Sequence, residues 1–137
     1  MKRRRAREYA LQILFQLDVT NSELSNDVMR DFWENIAEDD DVKEFTDDIV
    51  TGTRKNIEEI DSVLNSTAEN WSIDRMAVVD RNVLRAATYE LLYRPDIPPS
   101  VIINEAIEIS KKYSTGDSAS FINGILDKIQ KFRKPQK

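Results

Sequence analysis

The sequence contains neither cysteine nor histidine, and it has only three glycines among its 137 residues. Without cysteine no disulfide can form, and zinc sites built from Cys and His are excluded. Without histidine, Ser–His and Cys–His catalytic pairs and acid–base chemistry by imidazole are excluded as well. Three scattered glycines cannot form a phosphate-binding glycine loop. These absences remove many enzyme mechanisms and favour a protein that acts by binding, with no cofactor.

Long apolar runs are also missing. No segment approaches the ~18 consecutive apolar residues that a membrane helix needs. The basic amino terminus is typical of the start of a signal peptide, but Gln12 and Gln16 interrupt the apolar segment that should follow. We therefore expect a cytoplasmic protein that has no membrane partner.

The charge distribution is more informative than the net charge of −5. Five basic residues lie within the first seven positions, and five more lie within the last ten: Lys128, Lys131, Arg133, Lys134 and Lys137. The segment 8–127 holds the other ten basic residues and all 25 acidic ones, so its net charge is −15. An acidic body repels nucleic acid, so any nucleic-acid binding must be local to the two basic ends.

Helical periodicity dominates the pattern of apolar residues. They recur at intervals near 3.6, and the alternation typical of strands is nearly absent. The pattern predicts about seven helices, beginning with one over 2–18. Short loops between amphipathic helices favour bundles. We predict an all-α fold of two small three-helix-bundle-like halves packed together, covering 1–69 and 70–137.

Several finer predictions concern individual segments. Thr20 and Glu23 have the spacing of a capping box for the second helix. Apolar residues from 45 to 64 predict one continuous third helix. A short helix or turn is expected around Trp71, and Tyr113 is expected on the buried face of the sixth helix.

The basic start of the chain is the strongest functional signal, and it contains Lys2, Arg3, Arg4, Arg5 and Arg7. The planar guanidinium matches phosphate geometry and can stack on bases. On a helix, Phe15 shares a flank with Arg4 and Arg7, displaced from the apolar stripe, and Leu11 lies on the same flank. Proteins that bind single-stranded RNA combine cationic side chains, which contact the phosphate backbone, with aromatic rings, which stack on the bases. The alternative is a solvated basic tail, with Phe15 in the core.

The many carboxylates do not indicate catalysis. The run 39–41 could be a metal site, but an exposed acidic loop at a helix start explains it better. Glu105 and Glu108 are expected on the outer face of a helix, with Glu108 paired to Lys112. Ser118 has no base beside it. We therefore predict no catalytic residue and no metal site.

Three linked motifs in the carboxy-terminal half resemble a known family. They are VDRNVLR at 79–85, INEAIEI at 103–109 and FINGILD at 121–127, with RARE at 5–8 as a fourth match. Together they resemble the NusB family of bacterial transcription antitermination factors. The resemblance spans essentially the whole chain, but the segment 21–65 contributes little to it.

The resemblance implies a specific function. The family has an all-α fold of two three-helix subdomains and binds the box A element of ribosomal RNA leader transcripts. Its usual partner is NusE, which is also a ribosomal protein. The pair joins RNA polymerase and other Nus factors, so that transcription resists termination.

The resemblance also implies site residues. The arginines at 3, 4, 5 and 7 match the family's RNA-contacting start. Phe15 matches an aromatic position that is usually tyrosine, so stacking is kept but a hydroxyl is lost. Asp80 matches an acidic position on the partner-facing side. Three residues at the start of the last helix match the RNA side: Asp117, Ser118 and Phe121.

Two other functions remain open from the sequence. The acidic body fits a protein–protein adaptor for a basic partner, with RNA binding that is weak alone. The second of these functions is a homodimeric scaffold, in which the arginine run is masked at an interface.

Overall fold

The computed structural model describes residues 1–68 and 72–133. Within these ranges the chain forms seven α-helices and two short 3-10 helices, and no strand. The α-helices are α1 (Lys2–Val19), α2 (Asn26–Trp33), α3 (Asp40–Lys55), α4 (Ile57–Thr67), α5 (Val78–Tyr93), α6 (Pro99–Tyr113) and α7 (Ser118–Ile129). The 3-10 helices are Ile73–Arg75 and Gln130–Phe132. The predicted all-α fold is confirmed.

Helix α5 is the centre of the fold, because α1, α3, α4, α6 and α7 all pack against it. Its Leu84 and Leu91 are completely buried. Each surrounding helix adds at least one fully buried aliphatic side chain: Leu14, Ile49, Leu64, Ile102 and Leu126. Burial of one such side chain stabilises the fold by about 1.5–3 kcal/mol. One continuous core therefore holds these helices together.

Helix α1 runs antiparallel to α5 and is fixed to it by polar contacts at both ends. Near the start of α5, Arg81 Nε and Arg85 Nη1 lie 2.6 and 3.1 Å from Asp18 Oδ2. Near its end, Glu90 binds Arg7 of α1. These contacts place the basic start of α1 beside the end of α5.

The predicted cap of the second helix is wrong. Helix α2 begins after Ser25, whose Oγ accepts a hydrogen bond from the Val28 backbone N–H at 3.2 Å. Thr20 instead ends α1, and its hydroxyl donates to the Gln16 carbonyl at 2.7 Å. The predicted capping residue is therefore used at the end of the preceding helix.

The predicted continuous helix from 45 to 64 is also wrong, because Asn56 divides it into α3 and α4. The Asn56 amide Nδ2 donates to the carbonyl oxygen of Gly52 at 2.8 Å. A side chain that hydrogen-bonds to nearby backbone competes with helix propagation. The break is a single residue, so the apolar periodicity continues across it and conceals it in the sequence.

Helix α2 lies on the surface and contributes no buried residue. An aromatic cluster holds it to α1: Tyr9, Phe32 and Trp33 contact one another edge to face, with ring centroids 5.0–5.9 Å apart. The Trp33 indole Nε1 also donates to Asp47 Oδ1 of α3 at 3.1 Å. These contacts fix the loop between α2 and α3, which faces the basic start of α1.

The predicted boundary between the two halves, at 69/70, and Trp71 lie outside the described residues. The boundary therefore stays a prediction. Across residues 1–68 and 72–133, no helix is long and apolar enough to cross a membrane. The same ranges contain no group of three or more side chains placed to hold a metal ion.

Candidate nucleic-acid interface

The first two turns of α1 carry the five basic residues of the chain's start, and the first turn has no acidic residue. Cations oppose the positive end of the helix dipole at this position. The start of α1 is therefore stabilised by carboxylates from elsewhere in the fold. Four of its five cations are in ion pairs: Lys2, Arg4, Arg5 and Arg7.

The acidic stretch before α3 neutralises one side of this start. Lys2 Nζ lies 3.1 Å from Asp39 Oδ2 and 3.2 Å from Asp41 Oδ2. Arg5 Nε lies 2.8 Å from Glu38 Oε1. Asp39 is the N-cap residue of α3, so its carboxylate also lies at the favourable end of a helix dipole.

Glu38 is the central acceptor of this contact. Hydrogen bonds from Arg5 lower the pKa of Glu38 to about 2, against a smaller rise from burial. The Asp39 backbone N–H and the Tyr9 hydroxyl each donate to it at 3.1 Å. Glu38 is therefore fully ionised at neutral pH and holds Arg5 against the loop.

Arg4 and Arg7 are paired on the opposite side of α1. Arg4 Nε donates to Glu105 Oε2 at 3.0 Å, and Arg4 Nη2 binds the same oxygen. Arg7 Nη2 lies 2.7 Å from Glu90 Oε1, and Arg7 Nη1 lies 3.5 Å from Glu105 Oε1. The expectation that Glu105 faces outward is wrong, because its side chain is only 12% exposed and faces α1.

The predicted exposure of the Arg4–Phe15 flank is correct only at its two ends. Arg7 and Leu11 are 7% and 6% exposed, so both belong to the interior. They line a small cavity with α5 and α6, which both cover this side of α1. The buried stripe of α1 is therefore wider than its apolar residues indicate, since it includes an arginine.

Arg3 is different from the other four cations. It is exposed, and its guanidinium carbon lies 4.5 Å from the centre of the Phe45 ring. In the described part of the chain it makes no ion pair. A guanidinium on an aromatic face keeps its N–H donors free for another partner. Arg3 is therefore the cation of this start that is free to bind an anion.

Phe15 lies about three turns beyond Arg3 along α1 and is 39% exposed. The alternative that it belongs to the core is therefore wrong. Val19, one turn later, is 58% exposed, so the end of this flank is apolar and open to solvent.

The residues predicted at the start of α7 cluster around Asp80. The hydroxyls of Ser114 and Ser118 donate to its two carboxylate oxygens at 2.6 and 3.0 Å. Asp80 is 9% exposed and Ser118 is 5% exposed, so both are buried. Their side chains hold the α6–α7 turn against the start of α5.

Asp117 and Phe121 lie on the open side of the same turn. Asp117 is exposed and Phe121 is half-buried against the core. Both line a shallow cavity of about 310 Å³, together with Asp80 and Ser118. The structure thus brings these four predicted residues together.

Tyr113 connects the turn to the basic start, and its predicted burial is wrong. It is 39% exposed, and its hydroxyl donates to Glu8 Oε1. Lys112 Nζ lies 2.6 Å from the same oxygen, so the predicted Glu108–Lys112 pair does not form. Glu108 pairs instead with Lys111, at 3.4 Å. Tyr113 is the last residue of α6, where helical periodicity no longer determines which side chains are buried.

Comparison with known families agrees with this arrangement. Residues 4–131 match the sequence model of the NusB family. The chain belongs to the NusB family. The resemblance of its motifs to that family is thereby confirmed.

Individual NusB proteins match over nearly the full chain. The transcription antitermination protein NusB of Thermodesulfovibrio yellowstonii is 46% identical over 140 residues, covering 96% of this chain and 93% of that protein. The structure of T. maritima NusB has a TM-score of 0.85 at 43% identity, covering 97% of this chain and 93% of that one.

A chain from the crystal structure of the antitermination factors NusB and NusE in complex with double-stranded RNA is also similar. It has a TM-score of 0.85 at 29% identity, covering 96% of this chain and 97% of that one.

Proposed function

We propose that this NusB-family chain is a transcription antitermination factor. It binds the box A RNA of ribosomal RNA leader transcripts as a heterodimer with the ribosomal protein NusE. Bound to RNA polymerase with other Nus factors, the pair helps transcription to resist termination. The chain acts in the cytoplasm, by binding and without catalysis. Relatives named as antitermination proteins, and a similar solved chain crystallised with NusE and RNA, support this proposal.

The arrangement of the basic start carries the RNA-binding part of the proposal. Within residues 1–68 and 72–133, no carboxylate forms an ion pair with the Arg3 guanidinium, which is therefore open to a phosphate. Lys2, Arg4 and Arg5 are at least partly exposed, and phosphates must displace their carboxylates to reach them. Arg7 is buried with Glu90, so in this proposal it positions α1 and does not touch RNA.

A second group of residues is proposed to bind bases. Phe15 and Phe121 each present part of a ring to solvent, and base–aromatic stacking contributes about 1–3 kcal/mol per base. Asp117 is exposed beside Phe121, where its carboxylate can accept a hydrogen bond from a base amino group. Ser118 contributes by holding Asp80 and thus the shape of the turn.

The acidic body is proposed to bind NusE. The net charge of −15 over 8–127 attracts a basic ribosomal protein and disfavours RNA away from the basic start. Asp80 is assigned to the partner side. Asp80 is buried and accepts hydrogen bonds from Ser114 and Ser118. Its proposed contribution is to hold the α6–α7 turn in the conformation that NusE binds.

Fluorescence anisotropy with a single-stranded box A RNA and a scrambled RNA tests the proposal. We expect a clear preference for box A that NusE strengthens. Arg3→Ala should weaken box A binding and lower the log–log salt slope by about 0.7, the value for one phosphate contact on a single strand. Equal affinity for both RNAs, unchanged by NusE, would contradict the proposal.

Lys55→Ala is the matched control, because it also removes one exposed cation. Lys55 ends α3, and α3 runs parallel to α1, with Lys2 near Asp41 and Arg54 near Ser22. Lys55 therefore lies at the far end of α1 from Arg3. Its removal should leave both box A affinity and the salt slope nearly unchanged.

A further inference from the structure

Arg133, in the carboxy-terminal basic end, is linked through Arg94 to the surface that carries Arg3, although 130 residues separate Arg3 and Arg133 in sequence. Arg133 Nη2 donates to the backbone carbonyl oxygen of Arg94, at the end of α5. The Arg94 guanidinium carbon lies 5.3 Å from the centre of the Phe45 ring, and Arg3 lies 4.5 Å from the same centre. Arg133 is thus connected, through Arg94 and Phe45, to the surface of Arg3.

The carboxy-terminal side of this junction is open to solvent. Lys131 is exposed, and Phe132 is 61% exposed, more than Phe15. Lys128 lies three residues before Lys131, so it falls on the same face of α7 and its 3-10 continuation. In the described part of the chain, neither lysine makes an ion pair.

The surface beside Arg3 contains a cleft of about 310 Å³. Lys2, Arg3, Phe45 and Arg94 line it, together with the carboxylates of Asp41 and Glu44. Arg94 is itself neutralised by Asp48 and Asp96, at 2.7 and 2.9 Å. Among the described residues, Arg3 on this cleft and Lys131, two residues before Arg133, make no ion pair.

An exposed aromatic ring beside an exposed cation has a specific chemistry. Phe132 directly follows Lys131, and both side chains are exposed, whereas Arg133 is used within the fold by its contact with Arg94. Proteins that bind single strands combine these two elements. Burial of a phenylalanine side chain is favourable, so an exposed phenylalanine does not stabilise a solvated tail.

We propose that the two basic ends form one binding track for single-stranded RNA, in which Lys131 and Phe132 contact nucleotides flanking those bound at Arg3. This inference rests on the proposed function, because it extends the footprint of the same RNA. It gives the carboxy-terminal basic end a function in RNA binding, whereas binding of box A alone needs no contact with that end.

RNA length separates this inference from the proposed function. The probes are a short RNA that contains only box A, and two longer RNAs extended by a few nucleotides on the 5′ or the 3′ side. The full chain should bind one of the two longer RNAs more tightly than the short one. Phe132→Ala should remove that gain, by about 5- to 150-fold if one stacked base is lost, and leave short-RNA affinity unchanged.

Lys131→Ala should lower the salt slope for the longer RNA by about 0.7, and leave the slope for the short RNA unchanged. Lys55→Ala and Val19→Ala are controls that remove an exposed cation and an exposed apolar side chain away from the junction. All four side chains are exposed, so circular dichroism and thermal unfolding should show unchanged folds.

Each alternative outcome is decisive. If both longer RNAs bind as tightly as the short one, or if Phe132→Ala weakens all three RNAs equally, the track does not exist. If Phe132→Ala instead weakens binding to NusE or to anionic vesicles and not to RNA, the carboxy-terminal end belongs to another partner. A short RNA bound no better than its scrambled version would overturn the proposed function itself.

Discussion

Arg7 and Glu90 form an ion pair inside the protein, with Arg7 Nη2 2.7 Å from Glu90 Oε1 and the two residues 7% and 2% exposed. Arg7 stands in a run of arginines whose other members are exposed or partly exposed. The pair therefore joins the surface that is proposed to bind RNA to the central helix α5.

Removing one partner of this pair should destabilise the fold. Arg7→Met leaves the Glu90 carboxylate buried without its main partner, which costs about 3–5 kcal/mol. Urea unfolding measures this loss. The double variant Arg7→Met/Glu90→Leu, which replaces the pair with apolar side chains, should recover most of it. A single variant as stable as the parent would show that the pair is not a structural element.

Glu38 should make the stability of the protein depend on pH in the acid range. Its pKa is about 2 in the folded chain, against an ordinary value of 4.5, so between these values the unfolded chain binds more protons. The stabilisation from Glu38 is complete above about pH 4.5 and is lost as the pH falls towards 2. The difference in unfolding free energy between the parent and Glu38→Gln should therefore shrink over this range.

Glu58→Gln is the control for this measurement, because Glu58 is an exposed glutamate in α4. Glu58 makes no ion pair in the described part of the chain, so its replacement removes no contact of the kind that Arg5 makes with Glu38. If Glu38→Gln behaved in the same way, the contact between Arg5 and Glu38 would not contribute to stability.

Gly52 and Gly124 should respond in opposite directions to alanine. A Cβ at Gly52 would overlap the Cε1 and Cζ atoms of the Tyr89 ring, where α3 approaches α5. Relieving such overpacking costs typically about 1–3 kcal/mol, which exceeds the gain of about 1 kcal/mol in helix propensity. Apart from its chain neighbours and the local helix backbone, no described atom lies within 4 Å of a Cβ at Gly124, so Gly124→Ala should stabilise α7.

Thermal unfolding of the two alanine variants checks this prediction. Gly52→Ala/Tyr89→Leu offers a further test, because a smaller side chain at position 89 makes room for the new Cβ. The double variant should lose less stability than the sum of the two single changes. A stabilising effect of Gly52→Ala alone would contradict the close approach of α3 and α5.

The sequence predicts the helices better than it predicts the partners of charged side chains. Apolar spacing identifies α1 and α5, because core burial produces the same period that the sequence shows. It does not locate the break at Asn56, since one side-chain hydrogen bond to Gly52 ends α3 without disturbing that period.

The candidate site was predictable as a basic surface but not as an arrangement of contacts. Positive charge at the start of α1 is visible in the sequence. The burial of Arg7 depends on Glu90, which lies 83 residues away, and the solvent exposure of Tyr113 depends on Glu8. The link between Arg133 and the surface of Arg3 also depends on tertiary packing, through Arg94 and Phe45.

Asp80 can contribute to NusE binding in two ways, by holding the α6–α7 turn in place or by contacting NusE directly. Its carboxylate accepts hydrogen bonds from Ser114 and Ser118, at 2.6 and 3.0 Å. Loss of one donor to a buried charged group costs about 1.5–3 kcal/mol. Ser118→Ala should therefore lower the unfolding free energy by that amount and weaken RNA binding, because the turn positions Asp117 and Phe121.

Asp80→Asn, compared with Ser118→Ala, decides which role matters. If Asp80 only holds the turn, both variants should weaken NusE binding in proportion to their loss of stability. If Asp80 contacts NusE, Asp80→Asn should weaken that binding more than Ser118→Ala at equal stability. Thr115→Ala is the control, since the Thr115 hydroxyl contacts Ser118 at 3.2 Å and makes no described contact with Asp80. Calorimetric titration with NusE, beside urea unfolding of each variant, distinguishes the two roles.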